Sequence, residues 1–207
     1  MIPILYEDDD VIAVDKPAGV ASIPERDLAK ETVLSMLEKQ LGCKPFIVHR
    51  LDKEVGGVML FAKTPEAHKY LNEVFFNRNV RKTYRALVHG TIQEGKGFID
   101  RPIRQFGSGR MGVDEQRGKP SCTNYEVIKR TDDRTLLHAY PVTGRRHQIR
   151  VHLYHIGHPI VGDRLYGDKN LQKSHPCLML HSEQIKFTSR NGLLIAVNSK
   201  VPEEFIL

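Results

Sequence analysis

Thr123-Asn-Tyr-Glu-Val-Ile-Lys-Arg-Thr-Asp-Asp-Arg-Thr-Leu-Leu-His-Ala-Tyr-Pro141 decides the fold class. Thr123 to Lys129 and Thr135 to Pro141 both read as strands, and the second follows directly on the first. The same holds on either side. Lys82 to His89 reads as a strand before them, and Gln184 to Thr188 and Leu193 to Val197 as two more after them. Near the start, Tyr6 to Lys16 reads as two short strands around the turn Glu7-Asp-Asp-Asp10, with Val11 to Val14 buried. Val58 to Ala62 is a further apolar strand. Strands that outnumber helices and follow one another directly predict an α+β domain with a large, mostly antiparallel mixed sheet flanked by helices and loops.

Two helices punctuate this pattern. Thr32 to Gln40 presents Val33, Leu34, Met36, Leu37 and Leu41, and Gly42 stops it. Thr64-Pro65-Glu66 supplies a cap, a first-turn proline and a first-turn acid for a second helix, with Ala67, Tyr70, Leu71, Val74 and Phe75 turned inward. The 207 residues fit a single domain over 1–207, long enough to bury a core without disulfides or a structural metal. The widely spaced Cys43, Cys122 and Cys177 are expected as reduced, buried thiols.

Composition narrows the function. No apolar run approaches the roughly 18 residues needed to span a bilayer. The first ten residues turn acidic at once and do not read as a secretory signal, so a cytoplasmic protein is expected. Thirty-one Lys and Arg against 25 Asp and Glu leave a net charge of +6, which favours a polyanionic partner. The glycine-rich stretch from Gln105 to Pro120 carries Arg110, Arg117 and Lys119 and reads as a flexible basic loop, or as one that RNA phosphates would order.

Two segments stand out chemically. His49-Arg-Leu-Asp52 follows the β-favouring Phe46-Ile-Val48 and precedes Gly56-Gly57, where the backbone can turn tightly beside a ligand. Alone, an aspartate near an arginine is more often a structural ion pair. Thr143-Gly-Arg-Arg-His-Gln-Ile-Arg-Val-His152 gathers Arg145, Arg146 and Arg150 with His147 and His152 at a strand-to-helix junction, a natural anion site. Ile149, Leu153 and Ile156 recur at helical spacing and form its core face. His152 and His155 can share a helical face, but no carboxylate stands beside them before Asp163, so no metal is expected. No serine or cysteine sits in a nucleophile elbow.

Taken in order, several segments resemble the RluA family of pseudouridine synthases. They are Lys16-Pro-Ala-Gly19, His49-Arg-Leu-Asp52 with Gly57-Val-Met-Leu-Phe-Ala-Lys63, Lys82-Thr-Tyr84, Gly144-Arg-Arg-His-Gln-Ile-Arg-Val-His152 continuing into Gly157 to Tyr166, and Leu180-His181. Three positions depart from the family pattern: Val55 and Gly56 stand where Thr and Ser are usual, and Arg146 replaces a usual Thr or Ser. The first strand begins at about residue 4, so the N-terminal S4 RNA-binding domain of many relatives is expected to be absent.

The resemblance implies isomerisation of uridine to pseudouridine in structured RNA, a ribosomal or transfer RNA stem-loop. It implies Asp52 as the catalytic residue, with the choice between attack on the base, attack on C1′ and removal of the 2′ proton left open. Arg150 corresponds to the arginine that pairs with that aspartate, Arg50 to the residue that fills the space left by the flipped uridine, and Tyr84 to the tyrosine that stacks on it. His49, Arg145, Arg146, Arg110, Arg117 and Lys119 are the further RNA-binding candidates. Neither a cofactor, a metal nor an obligate protein partner is implied, and a monomer is the default. The alternatives are an inactive RNA-binding protein of the same fold, which would bind without isomerising, and an RNA hydrolase using His147 and Asp52, which would shorten the strand.

Overall fold

Gly56-Gly-Val-Met-Leu-Phe-Ala62 is buried along its whole length, and the first half of the fold is assembled around it. The computed structural model describes residues 1–24, 30–173 and 175–205. In chain order its strands are β1 (Ile4–Glu7), β2 (Val11–Lys16), β3 (Phe46–Ile47), β4 (Gly56–Ala62), β5 (Arg81–His89), β6 (Lys96–Asp100), β7 (Ile103–Gln105), β8 (Met111–Val113), β9 (Cys122–Arg130), β10 (Arg134–Pro141), β11 (Leu180–Thr188) and β12 (Leu194–Asn198). The helices are α1 (Val33–Leu41), α2 (Pro65–Phe76), α3 (Gln148–His155) and α4 (Lys169–Lys173). The chain folds as two compact units, neither continuous in sequence.

The first unit comprises Met1–Lys82 and Ser182–Lys200. Its strands run in the order β1-β2-β4-β11, with β3 also on β4 and β12 on β11. β2 pairs antiparallel with β4 from Val11↔Ala62 to Lys16↔Gly57. Side chains alternate across a strand, so Val58, Leu60 and Ala62 share one face. They join Val11, Ala13 and the inner side of α2 in one core. α2 starts where the sequence says it should: the Thr64 side chain accepts from the Ala67 N–H and Pro65 opens the first turn. Ala67, Leu71 and Val74 are buried, and Tyr70 and Phe75 pack partly buried against the same core. Helix α1 is held by a reciprocal cap between Thr32 and Ser35 and ends at Gly42 in the left-handed region. Gly57, with φ of 108°, has no room for a side chain, because a Cβ there would collide with the backbone of Ser182.

The second unit comprises Thr83–His181 and Val201–Leu207. Its strands run β5-β10-β9-β6, and β7 pairs with β8 as a separate hairpin. β9 and β10 are the direct neighbours that Thr123 to Pro141 predicts, antiparallel from Thr123↔Pro141, with one irregularity at Leu136/Leu137. Helix α3 follows, with Ile149 and Leu153 buried. The α+β class, with few helices and antiparallel strands, is as expected.

Three expectations need correcting. The stretch from Gln105 to Pro120 is not merely a loop: Ile103↔Val113, Arg104↔Gly112 and Gln105↔Met111 make a hairpin whose tip holds Gly107 and Gly109. β11 begins at Leu180, four residues earlier than read, because Leu180-His181-Ser182 is buried. The thiols are not all buried, since Cys43 and Cys177 are exposed and Cys122 is intermediate. Cys43 follows directly on the Gly42 helix stop and Cys177 lies in the segment before β11, so both sit outside the packed elements.

Candidate active site

In the first unit, the segment carrying Asp52 is braced from both ends. Upstream, His49 continues the sheet with its side chain: β3 reaches Ile47↔Phe61, and the His49 Nε2 then accepts the Leu60 N–H at 3.0 Å. The imidazole also stacks on Phe75, 5.0 Å between ring centroids. An Nε2 that accepts is unprotonated, and burial, with the positive charge of Lys82, takes its pKa down to about 3. His49 is thus neutral and fixed. Ser22 then clasps Leu51, its hydroxyl donating to the Leu51 carbonyl at 2.8 Å and accepting the Leu51 N–H at 3.1 Å.

Downstream, Asp52 opens a turn closed by the Val55 N–H donating to the Asp52 carbonyl at 3.1 Å. Lys16, only 1% exposed, fills the inside of that turn. Its ammonium donates to the carbonyls of Pro17 (3.0 Å), Lys53 (3.0 Å) and Val55 (2.7 Å), which uses all three of its protons. Burial pulls its pKa down to about 8, while the negative charges of Glu54 and Asp52 work against that fall. Val55 and Gly56, the two departures from the family pattern, are buried at the start of β4. Asp52 itself is half-buried and Arg50 is exposed.

Two predictions follow from this bracing. Lys16→Met leaves three carbonyls without their cation and should lower stability by about 1–3 kcal/mol in urea unfolding. It should also reduce kcat more than it raises KM, because the turn that aims Asp52 loosens; equal kcat would detach Lys16 from the site. For His49, the unfolded imidazole titrates near 6.5 and the folded one near 3. Between those values the unfolded chain binds more protons, so stability is lost as the pH falls through that window, by up to about 1.4 kcal/mol per pH unit. His49→Gln should therefore flatten the pH dependence of urea stability between about pH 6 and about pH 4 by close to one proton. An unchanged slope would assign the titration elsewhere.

In the second unit, Arg150 is buried on α3 and bound in bidentate fashion by Asp163, Nε to Oδ2 at 2.8 Å and Nη2 to Oδ1 at 2.9 Å. Both side chains are almost fully enclosed, at 3% and 0% exposure. Asp163 Oδ1 also accepts the N–H groups of Leu165 and Tyr166, so the carboxylate is locked before it meets the arginine. The Arg150 guanidinium lies over the Tyr166 ring, 5.3 Å from its centroid. The Tyr166 hydroxyl accepts the Met111 N–H at 3.2 Å and lies 2.9 Å from His147 Nδ1.

His147 precedes α3 in the left-handed region, with φ of 56°, a conformation that costs energy outside glycine. Gln148 holds the junction in place: its side chain accepts from Thr143 Oγ1 and the Arg145 N–H, and donates to Cys122 O and Thr123 Oγ1. Arg145 and Arg146 are exposed beside it. Tyr84 is buried on β5 opposite Ala139. Arg110, Arg117 and Lys119 are exposed in the hairpin and the turn that follows it. His152 is buried between Thr123 Oγ1 and the Arg101 carbonyl, which occupies both ring nitrogens, while His155 is exposed.

Each unit thus collects part of the expected set, His49, Arg50 and Asp52 in one and Tyr84, Arg145, Arg146 and Arg150 in the other. Sequence reading missed the braces Lys16, Ser22, Gln148, Asp163 and Tyr166. Lys16, Gln148, Asp163 and Tyr166 lie inside motifs already singled out; Ser22 carries no such signal.

Known proteins resemble this chain in sequence and fold. A family model described as RNA pseudouridylate synthase matches residues 10–155. The dual-specificity RNA pseudouridine synthase RluA of Escherichia coli K12 is 36% identical over 189 residues, covering 89% of this chain and 86% of that protein. An uncharacterized RNA pseudouridine synthase of Zymomonas mobilis is 34% identical, covering 98% and 94%. The solved structure of human RNA pseudouridylate synthase domain containing 1 superposes with a TM-score of 0.83 at 29% identity, covering 98% of this chain and 84% of that one. The chain belongs to the RNA pseudouridylate synthase family, isomerases that act on RNA.

Proposed function

We propose that this chain converts uridine to pseudouridine within a folded transfer or large-subunit ribosomal RNA, with Asp52 as the catalytic residue and Arg50, Tyr84 and Arg150 as substrate-binding residues. The observation that supports this reading is the bracing of the Asp52 turn by Lys16 and Ser22, which fixes the backbone that presents a half-buried carboxylate before substrate arrives. In the reaction the N1–C1′ bond of the uridine breaks, the uracil rotates, and a C5–C1′ bond forms. The C5 proton leaves and N1 regains one, so the product is an isomer. A stacked uridine has to flip out first, at a cost of a few kcal/mol. Arg50, which is exposed, fills the space the uridine leaves in this reading.

The exposed Arg145, Arg146, Arg110, Arg117 and Lys119 bind phosphates in this reading, and His49 acts from behind by positioning Asp52. Residues 1–207 work as one catalytic domain, a cytoplasmic monomer with RNA as its partner. Transfer and ribosomal RNA transcripts incubated with the protein should gain carbodiimide-dependent stops in reverse transcription at one or a few uridines. Affinity should fall steeply with added salt. Transcripts without stops, at protein concentrations that saturate binding, would leave an inactive RNA binder instead.

A further inference from the structure

The second unit has a cleft of about 590 Å³ between the β7–β8 hairpin and α3, apart from the residues assigned to catalysis above. Its floor is apolar, with Met111, Val113 and Val151. Its walls carry aromatic faces open to solvent, Tyr154 at 45% and Phe106 at 38% exposure. Arg110 reaches over it from the hairpin, 4.9 Å from the Tyr166 ring centroid and 5.5 Å from that of Tyr154. The Arg104 guanidinium lies over the Phe106 ring, 4.5 Å from its centroid. Ser108 and His155 add polar groups, and among the described residues no acidic side chain lines the cleft.

We propose that this cleft takes a second unpaired nucleobase of the RNA substrate, one other than the isomerised uridine. The proposal rests on the reading that the chain acts on RNA. Its size lies in the roughly 300–1,000 Å³ range of small-molecule sites. Aromatic faces next to arginine are the platform on which single-stranded bases stack, because every base has a π-face and phosphates flank it on both sides. The Arg110 guanidinium, Ser108 hydroxyl and His155 imidazole are within the cleft to meet a base edge or the neighbouring phosphate. An apolar floor under a cationic rim suits an aromatic group carried on a polyanion, and it disfavours a cation or a basic peptide.

The test uses the shortest transfer or ribosomal RNA hairpin in which the protein makes pseudouridine, with an abasic residue placed at one loop position at a time. Binding of wild type, Tyr154→Ala, Tyr154→Phe and Arg110→Ala is measured by fluorescence anisotropy. We expect one non-target position at which losing the base weakens wild-type binding about tenfold. That loss should vanish in Tyr154→Ala and persist in Tyr154→Phe, which keeps the ring. Arg110→Ala should reduce it. Equal weakening by Tyr154→Ala against every abasic hairpin would mean that the cleft holds no base, even though the enzyme remains active. If no RNA is bound or modified, the reading of the chain as an RNA isomerase falls, and the cleft's assignment falls with it.

Discussion

Replacing Asp52 with asparagine should reduce the rate of pseudouridine formation by about a thousandfold or more while leaving the backbone of its turn in place. The two halves of that expectation have separate causes. What fixes the turn is main chain: the Leu51 peptide on Ser22, the Asp52 carbonyl on the Val55 N–H, and the Lys53 and Val55 carbonyls on Lys16. None of these bonds involves the Asp52 carboxyl, so the amide inherits the same backbone. What is lost is a charged oxygen able to act as nucleophile or base, and positioned proton transfer alone is worth roughly 10²–10⁴ in rate. RNA affinity should change far less, since phosphate contacts dominate it. A variant with normal turnover would remove Asp52 from the chemistry, and one that melts early would show the side chain to be structural.

The largest expected loss of stability comes from the other unit. Asp163→Ala leaves the Arg150 guanidinium enclosed without its bidentate partner and frees the N–H groups of Leu165 and Tyr166 as well. Breaking a buried pair from one side costs about 3–5 kcal/mol, because the remaining charge stays desolvated. In a chain of this size that corresponds to a fall in Tm on the order of 10 °C. Asp163→Ala combined with Arg150→Met removes the stranded charge and should recover much of the stability, though not the activity. Thermal melts of the single and double variants decide this. A single variant that melts with wild type would mean that the pair contributes nothing to the fold.

What was legible in the sequence follows the range of the interactions involved. β9 and β10 are legible because their pairing is local, across the turn from Thr131 to Asp133. The start of α2 is legible because Thr64, Pro65 and Glu66 act within one turn. The β7–β8 hairpin was hidden because three-residue strands broken by glycine carry too little periodicity to separate from a loop. Lys16 was visible as part of a motif, but its role was not, since its partners Lys53 and Val55 lie 37 and 39 residues away. Asp163 stands within a family motif, but its hold on Arg150, thirteen residues back through α3 and the following turns, is not legible from it. His49 stands in the sequence only as an RNA-binding candidate, and that it is a neutral acceptor depends on Leu60 and Phe75 arriving from β4 and α2.

The measurement that bears most directly on the central claim is tritium release from RNA labelled at uridine C5, with wild type and Asp52→Asn compared on transfer and ribosomal RNA whose length is checked afterwards. Release by wild type from intact strands, and none by Asp52→Asn, is the predicted result. Release that persists in Asp52→Asn would contradict the assignment of Asp52, and no release from any RNA that the wild type binds would contradict the isomerase reading itself.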